Sequence, residues 1–212
     1  MEAYYCQRAP EYDSFYSVPE RQEELAWLAG WMREHCCGRH VLEIAAGTGH
    51  WTRIAAESAA TVTATDVSKE MLAIAAARTP AKHVRFVLAD AYALPRMDQT
   101  FEVGMAHLWW SHVPRQSRIA FLRQVADRLR PDATLLLMDQ NFVPGLSSPT
   151  FRTDSHGNQL AVRTLADGRS FEVVKNYPDD AELAADFATF CSNMHIVRRI
   201  HFWALTAQLR SV

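Results

Sequence analysis

At 212 residues, 49% of them hydrophobic, the chain is long enough for one sizeable core and short for two. Its 22 basic and 24 acidic side chains give a formal charge of −2, which excludes a strong field for gathering nucleic acid or an anionic membrane. No apolar run approaches the ~20 residues of a membrane helix, so one domain over residues 1–212 that handles a small-molecule partner is expected.

The opening segment, MEAYYCQRAPEYDSFY, carries acids and tyrosines where an export signal needs a positive start and an apolar middle, so the cytoplasm is the expected compartment. Cys6, Cys36, Cys37 and Cys191 form no C-x-x-C pair and read as reduced thiols, with no metal or disulfide expected. Leu25, Leu28, Met32 and His35 recur at three- and four-residue steps after Pro19, which predicts an amphipathic helix. HVLEIA, TVTATDVS and HVRFVLAD then read as three buried strands, and FEVGMAHL and ATLLLMDQ as a fourth and fifth. Helical patterns separate them: Trp51 to Ser58, Lys69 to Arg78 behind the cap Ser68, and RQSRIAFLRQVADRLR. In the last of these Ile119, Leu122, Ala126 and Leu129 share a face before Pro131 ends the helix.

Alternating strands and helices predict a parallel sheet with helices on both faces, since parallel neighbours need a crossover. The last third departs from this rule. Two β-rich runs surround ADG, predicting a hairpin over 158–177. Asp179 to Phe190 reads as a helix, and HIVRRI and HFWALTAQ follow as an antiparallel pair.

VLEIAAGTGHW poses the functional question. Gly47 and Gly49 let the backbone approach a ligand, and the helix that follows offers unpaired amides. Such ligands lie beyond the carboxyl ends of the strands in a doubly wound sheet. Asp66 ends the second strand, where a carboxylate can accept both hydrogen bonds of a ribose diol. Asp90 ends the third, where it can accept from an exocyclic amine while the amide of Ala91 donates to a ring nitrogen.

On these residues the sequence resembles the class I S-adenosylmethionine-dependent methyltransferases (methyltransferase 11/25-like) from about Tyr4 to the end. EIAAGTG is similar to the family's glycine motif, with Glu43 as its acid and Ala45 where the first glycine would stand. The resemblance implies a Rossmann-like, doubly wound, seven-stranded mixed sheet with its last strand antiparallel. It also implies an N-terminal helical lid within 1–38 and the hairpin as an insertion after the fifth strand. It further implies that Glu43, Ala45, Gly47 and Gly49 approach the methionine part of S-adenosylmethionine and that Asp66, with Val67 and Met71 near it, takes the ribose. Asp90 and Ala91 would read the adenine, and His107 would neighbour the cofactor. A dinucleotide site needs a third glycine where this chain has Thr52.

The chemistry expected is in-line methyl transfer to an O or N nucleophile of a small-molecule acceptor, with S-adenosylhomocysteine as product. Tyr5 and Tyr16, on the lid-like segment, are candidates to face the sulfonium. Trp109 and Trp110 are candidates to wall the acceptor pocket, and His112 is the candidate base. MDQNF invites comparison with magnesium-dependent relatives through Asp139 and Asn141, but the fourth strand offers Met105, Ala106 and His107 where that group has an aspartate, so no metal is expected. No N-P-P-[YF] run or basic stripe points to nucleic acid. The alternatives are a regulatory protein that binds the cofactor without turnover and a methyltransferase acting on protein. The hairpin covers the acceptor site or forms a contact in a homodimer.

Overall fold

The computed structural model describes residues 14–147, 149–164 and 167–210. A 3-10 turn at Pro19–Arg21 leads into α1 (Gln22–Cys36). Then come β1 (His40–Ile44), α2 (His50–Ala56), β2 (Thr61–Asp66), α3 (Lys69–Arg78), β3 (Val84–Leu88), β4 (Phe101–His107), α4 (Arg118–Ala126) and β5 (Leu129–Gln140). The final third holds β6 (Thr150–Thr153), β7 (Gln159–Thr164), β8 (Ser170–Val174), α5 (Asp180–Phe187), β9 (Cys191–Arg198) and β10 (Phe202–Leu209).

Seven strands form one sheet in the order β3-β2-β1-β4-β5-β10-β9. β1 to β5 run parallel, and β10 is antiparallel to both β5 and β9. This is the mixed, Rossmann-like sheet expected from the sequence. The strand order reverses beside β1, between β1 and β4, where the loop after β1 opens toward a ligand.

The central strands are apolar on both faces because helices cover both. Leu42, Ile44, Leu135 and Leu137 bury one face against Phe121, Leu122 and Val125 of α4 and Leu183 and Phe187 of α5. Val41, Val103, Met105, Leu136 and Met138 bury the other against Leu25, Leu28 and Met32 of α1 and Trp51 and Ile54 of α2. Helix caps follow the sequence signals: the Ser68 hydroxyl accepts from the Met71 amide and the Asp179 carboxylate from the Glu182 amide.

Three details differ from the sequence reading. Leu129 belongs to β5 and not to the preceding helix, because it pairs with Phe101 and the ladder then shifts register before Val103 meets Thr134. The extra residues are absorbed around Pro131 and Asp132, the latter at φ 60°. Ile119 is 42% exposed, and Phe121 takes the buried place on α4. The expected hairpin gains a third strand, so β6, β7 and β8 form a separate antiparallel sheet.

Candidate active site

A cavity of about 300 Å³ opens at the carboxyl ends of β1 to β4. Ala45 and Gly47 line it from the loop after β1. Asp66, Val67, Ser68 and Met71 line it from β2 and the start of α3, and Ala89, Asp90, Ala91 and Tyr92 from the loop after β3. His107, Leu108, Trp109 and His112 close it from β4 and the turn beyond. Ten residues singled out in the sequence therefore meet at one cavity: Ala45, Gly47, Asp66, Val67, Met71, Asp90, Ala91, His107, Trp109 and His112.

The loop after β1 is shaped by left-handed backbone. Gly47 has φ +57°, and a Cβ built there would meet no atom within 4 Å, which leaves its face open to the cavity. Ala45 adopts φ 55° at the position of the missing glycine, so an L side chain carries the strain that glycine would avoid. Gly49 serves packing instead: at φ +78°, its Cβ would come within 2.7 Å of the Ala75 Cβ on α3. It caps α2 without lining the cavity.

Asp66 anchors this loop. Its Oδ2 accepts from the Gly47 amide at 2.8 Å and its Oδ1 from the Ser68 amide at 2.9 Å, which ties the end of β2 to the glycine turn. Asp90 accepts from the Tyr92 amide at 2.9 Å, shaping the loop after β3. Glu43 lies outside the cavity lining. It is buried and accepts the hydroxyl of Thr52 on α2. Burial pushes its pKa up to about 8, the Thr52 hydrogen bond opposes this, and Asp66 adds to it, so the carboxyl is protonated at neutral pH.

His107 is 6% exposed, and neither ring nitrogen has a hydrogen-bond partner among the described residues. Burial holds its pKa down at about 3, with Asp139 opposing, so the ring is neutral. The buried Tyr92 hydroxyl and Trp109 indole nitrogen are also without partners among the described residues. Buried polar atoms are satisfied in native proteins, so these groups suit a polar ligand in the cavity that they line. Together with the open Gly47 and the two strand-end carboxylates, they fit a nucleoside bearing an amino-acid arm.

Trp110 is fully buried away from the cavity, against Phe187 at 4.8 Å and Phe121 at 6.0 Å between ring centroids. It supports the site from the core, whereas Trp109 lines it. Tyr16 stacks flat on His50 at 3.6 Å, at the first turn of α2, and Trp51 links that pair to His107 at 5.5 Å. Tyr5, with Tyr4 and Tyr12, lies outside the described residues.

Comparisons with known proteins agree with this geometry. A methyltransferase-domain model matches residues 41–132, which carry β1 to β4 and the cavity wall. The solved complex of DhpI with SAH is 30% identical over 99% of this chain and 95% of that one, with a TM-score of 0.82. The chain belongs to the class I S-adenosylmethionine-dependent methyltransferases. The DhpI complex with SAM and HEP is likewise 30% identical, over 97% of this chain and 94% of that one, with a TM-score of 0.76. The PH0226 protein from Pyrococcus horikoshii shares the fold at 16% identity and a TM-score of 0.72, covering 91% of this chain and 92% of that one. No curated protein matches the sequence. S-adenosylmethionine is thus the methyltransferase's cofactor and S-adenosylhomocysteine its product. No helix among the described residues is long and apolar enough to cross a membrane.

Sequence reasoning weighed Asp139 only as a metal ligand and missed Lys175, its partner beside His112. Asp139, at the end of β5, is fully buried and accepts from the Ser111 amide at 2.8 Å and the Gln140 amide at 2.7 Å. Lys175, just past β8, is 1% exposed and reaches Asp139 at 3.3 Å. Burial works against the Asp139 charge, yet the Lys175 ammonium and the amides of Ser111 and Gln140 hold the carboxyl below its ordinary value. Asn141 is committed elsewhere, its amide donating to the carbonyls of Arg199, Ile200 and Phe202. Among the described residues no three His, Cys, Asp or Glu side chains cluster as a metal site.

His112 donates from Nδ1 to the Val174 carbonyl at 2.7 Å. A carbonyl only accepts, so the proton is on Nδ1 and Nε2 carries the lone pair of the neutral ring. Burial, then the Lys175 cation, lower its pKa to about 3; Asp139 and the Val174 carbonyl oppose and Arg163 adds to the lowering.

Proposed function

We propose that this methyltransferase transfers the methyl group of S-adenosylmethionine to a hydroxyl oxygen of a small molecule, with His112 as the proton acceptor. The observation that carries the proposal is His112, donating from Nδ1 to the Val174 carbonyl and lining the same cavity as Asp66, Asp90 and His107. A cavity of about 300 Å³ and the DhpI complex that holds SAM and HEP together both support a small acceptor.

When bound, S-adenosylmethionine supplies a methyl carbon on a cationic sulfur, open to in-line displacement. Asp66 accepts from the ribose hydroxyls while keeping its tie to the Gly47 amide. Asp90 and the Ala91 amide read the adenine edge, and the face of Gly47 admits the amino-acid arm. His107 offers a neutral ring that does not repel the sulfonium. Trp109 excludes water beside the acceptor, so that alignment does most of the work.

The low basicity of His112 bears on the acceptor atom. A hydroxyl oxygen becomes strongly acidic as it attacks, and even a weak base can then take its proton. An ammonium must lose its proton before it can attack, and an imidazole with a pKa of about 3 does that poorly. Oxygen acceptors are favoured on that ground. The three cysteines among the described residues, Cys36, Cys37 and Cys191, are free, which suits a reducing compartment and supports action in the cytoplasm.

The test is calorimetric titration with S-adenosylmethionine and S-adenosylhomocysteine, followed by labelled-methyl transfer to panels of small alcohols, phenols and amines. Saturable binding of both cofactor forms and transfer to hydroxyl compounds is expected. Transfer to amines alone would overturn the oxygen assignment.

A further inference from the structure

The small sheet is stitched to the turn that carries His112, residue by residue. Val174 accepts from His112 Nδ1 at 2.7 Å, and the Asn176 amide donates to the Ser111 carbonyl at 2.8 Å. Between them the Lys175 ammonium donates to the Ser111 hydroxyl at 2.8 Å and to Asp139 Oδ1 at 3.3 Å, while Asp139 Oδ2 accepts from the Ser111 amide. β5, the turn after β4 and β8 therefore meet at one buried ion pair beside His112.

We propose that Lys175 is a positioning residue for methyl transfer: through Ser111 and Asp139 it fixes the turn that carries His112, and its charge offsets that of Asp139 beside the imidazole. The proposal rests on the reading of His112 as proton acceptor. A carboxylate buried beside an imidazole pulls it toward the imidazolium, and Asp139 does so here, opposed first by burial and then by Lys175. An imidazolium cannot accept a proton, and it would repel a sulfonium in the same cavity. The charged groups that face His112 are Lys175 after β8, Asp139 on β5 and Arg163 on β7; Lys175 is the cation bonded directly to Asp139.

The hydrogen bonds and the charge can be separated. Lys175→Gln keeps a donor for Ser111 and Asp139 and removes the cation. Asp139→Asn combined with Lys175→Gln removes both charges and leaves no unpaired ion. The full chain is labelled with 15N-histidine, and the His112 signals are assigned by their loss in His112→Gln. In the unsubstituted protein His112 is expected to stay neutral from pH 5 to 8 with its proton on Nδ1. In Lys175→Gln its pKa is expected to rise by about one to three units, and in the double variant to fall back toward the starting value. Titration of each protein with S-adenosylmethionine and S-adenosylhomocysteine adds a second readout. The affinity ratio of the two is expected to drop as pH falls in Lys175→Gln alone, since only the first carries a sulfonium.

A His112 that is protonated at pH 6 in the unsubstituted protein, or that carries its proton on Nε2, overturns the proposal whether or not the variants fold. So does a Lys175→Gln protein in which His112 titrates unchanged. The expected shifts combined with a His112→Ala protein of undiminished turnover would leave Lys175 as a residue that tunes the charge on His112, and would overturn both His112 as the proton acceptor and Lys175 as a positioning residue for methyl transfer.

Discussion

Asp66→Ala tests the cofactor site most directly. The Asp66 carboxylate accepts two backbone amides at 2.8 and 2.9 Å, which fixes its plane on the cavity wall where a ribose diol would meet it. Hydrogen bonds to a charged group contribute about 1.5 to 3 kcal/mol each, and two from the ribose, partly shared with water, come to roughly 2 to 4 kcal/mol. That corresponds to a loss of about 30- to 1,000-fold in affinity. Removal of the carboxylate also frees the Gly47 amide, so the denaturation midpoint should fall. Calorimetry with S-adenosylhomocysteine gives the affinity, and urea unfolding gives the stability. A variant that binds within threefold of the parent protein would refute the assignment of Asp66 to the ribose, whatever its stability.

Ala45→Gly should stabilise the fold by about 0.5 to 1 kcal/mol, the relief of an L residue at φ 55° less the extra entropy of glycine in the unfolded chain; a lower urea midpoint would contradict this. His112→Ala should reduce turnover by about 100-fold or more while leaving cofactor affinity within about threefold, as read from single-turnover rates and calorimetry. Glu43 has a pKa raised in the folded chain from the ordinary 4.5 to about 8, so its contribution is fully present below pH 4.5 and is lost as pH rises through 8. Glu43→Gln should therefore match the parent protein in unfolding free energy at pH 4 and exceed it at pH 8.

Much of the site could be read from the sequence because it sits where strands end. Asp66 closes a buried strand, Asp90 follows the half-exposed edge strand β3, where the sequence reading expected a buried one, and Gly47 follows β1. The arrangement of β-strands that makes those strand ends visible also delivers the residues to one edge of the sheet. What could not be read depends on direction and on distant partners. Trp109 and Trp110 are adjacent and alike in the sequence, yet the 3-10 turn at Trp110–His112 sends Trp110 into the core against Phe187 while Trp109 lines the cavity. Leu129 fits a helical spacing, but its pairing with Phe101 makes it a strand residue. Lys175 stands in an ordinary alternating run, FEVVKNYP, and nothing local announces that its partner is Asp139, 36 residues earlier.

That ion pair also limits how the segment over 150–177 can be exchanged. β8 and the residues just past it are hydrogen-bonded to the turn after β4, and the segment over 150–177 is a natural one to graft from one relative to another. A graft lacking the lysine would strand a buried carboxylate, at about 3 to 5 kcal/mol, a large share of a domain's stability. Exchange of this segment therefore has to carry Lys175 with it or be accompanied by Asp139→Asn. Swaps between relatives that differ at one of these two positions should yield insoluble chains, while swaps that respect the pair should fold.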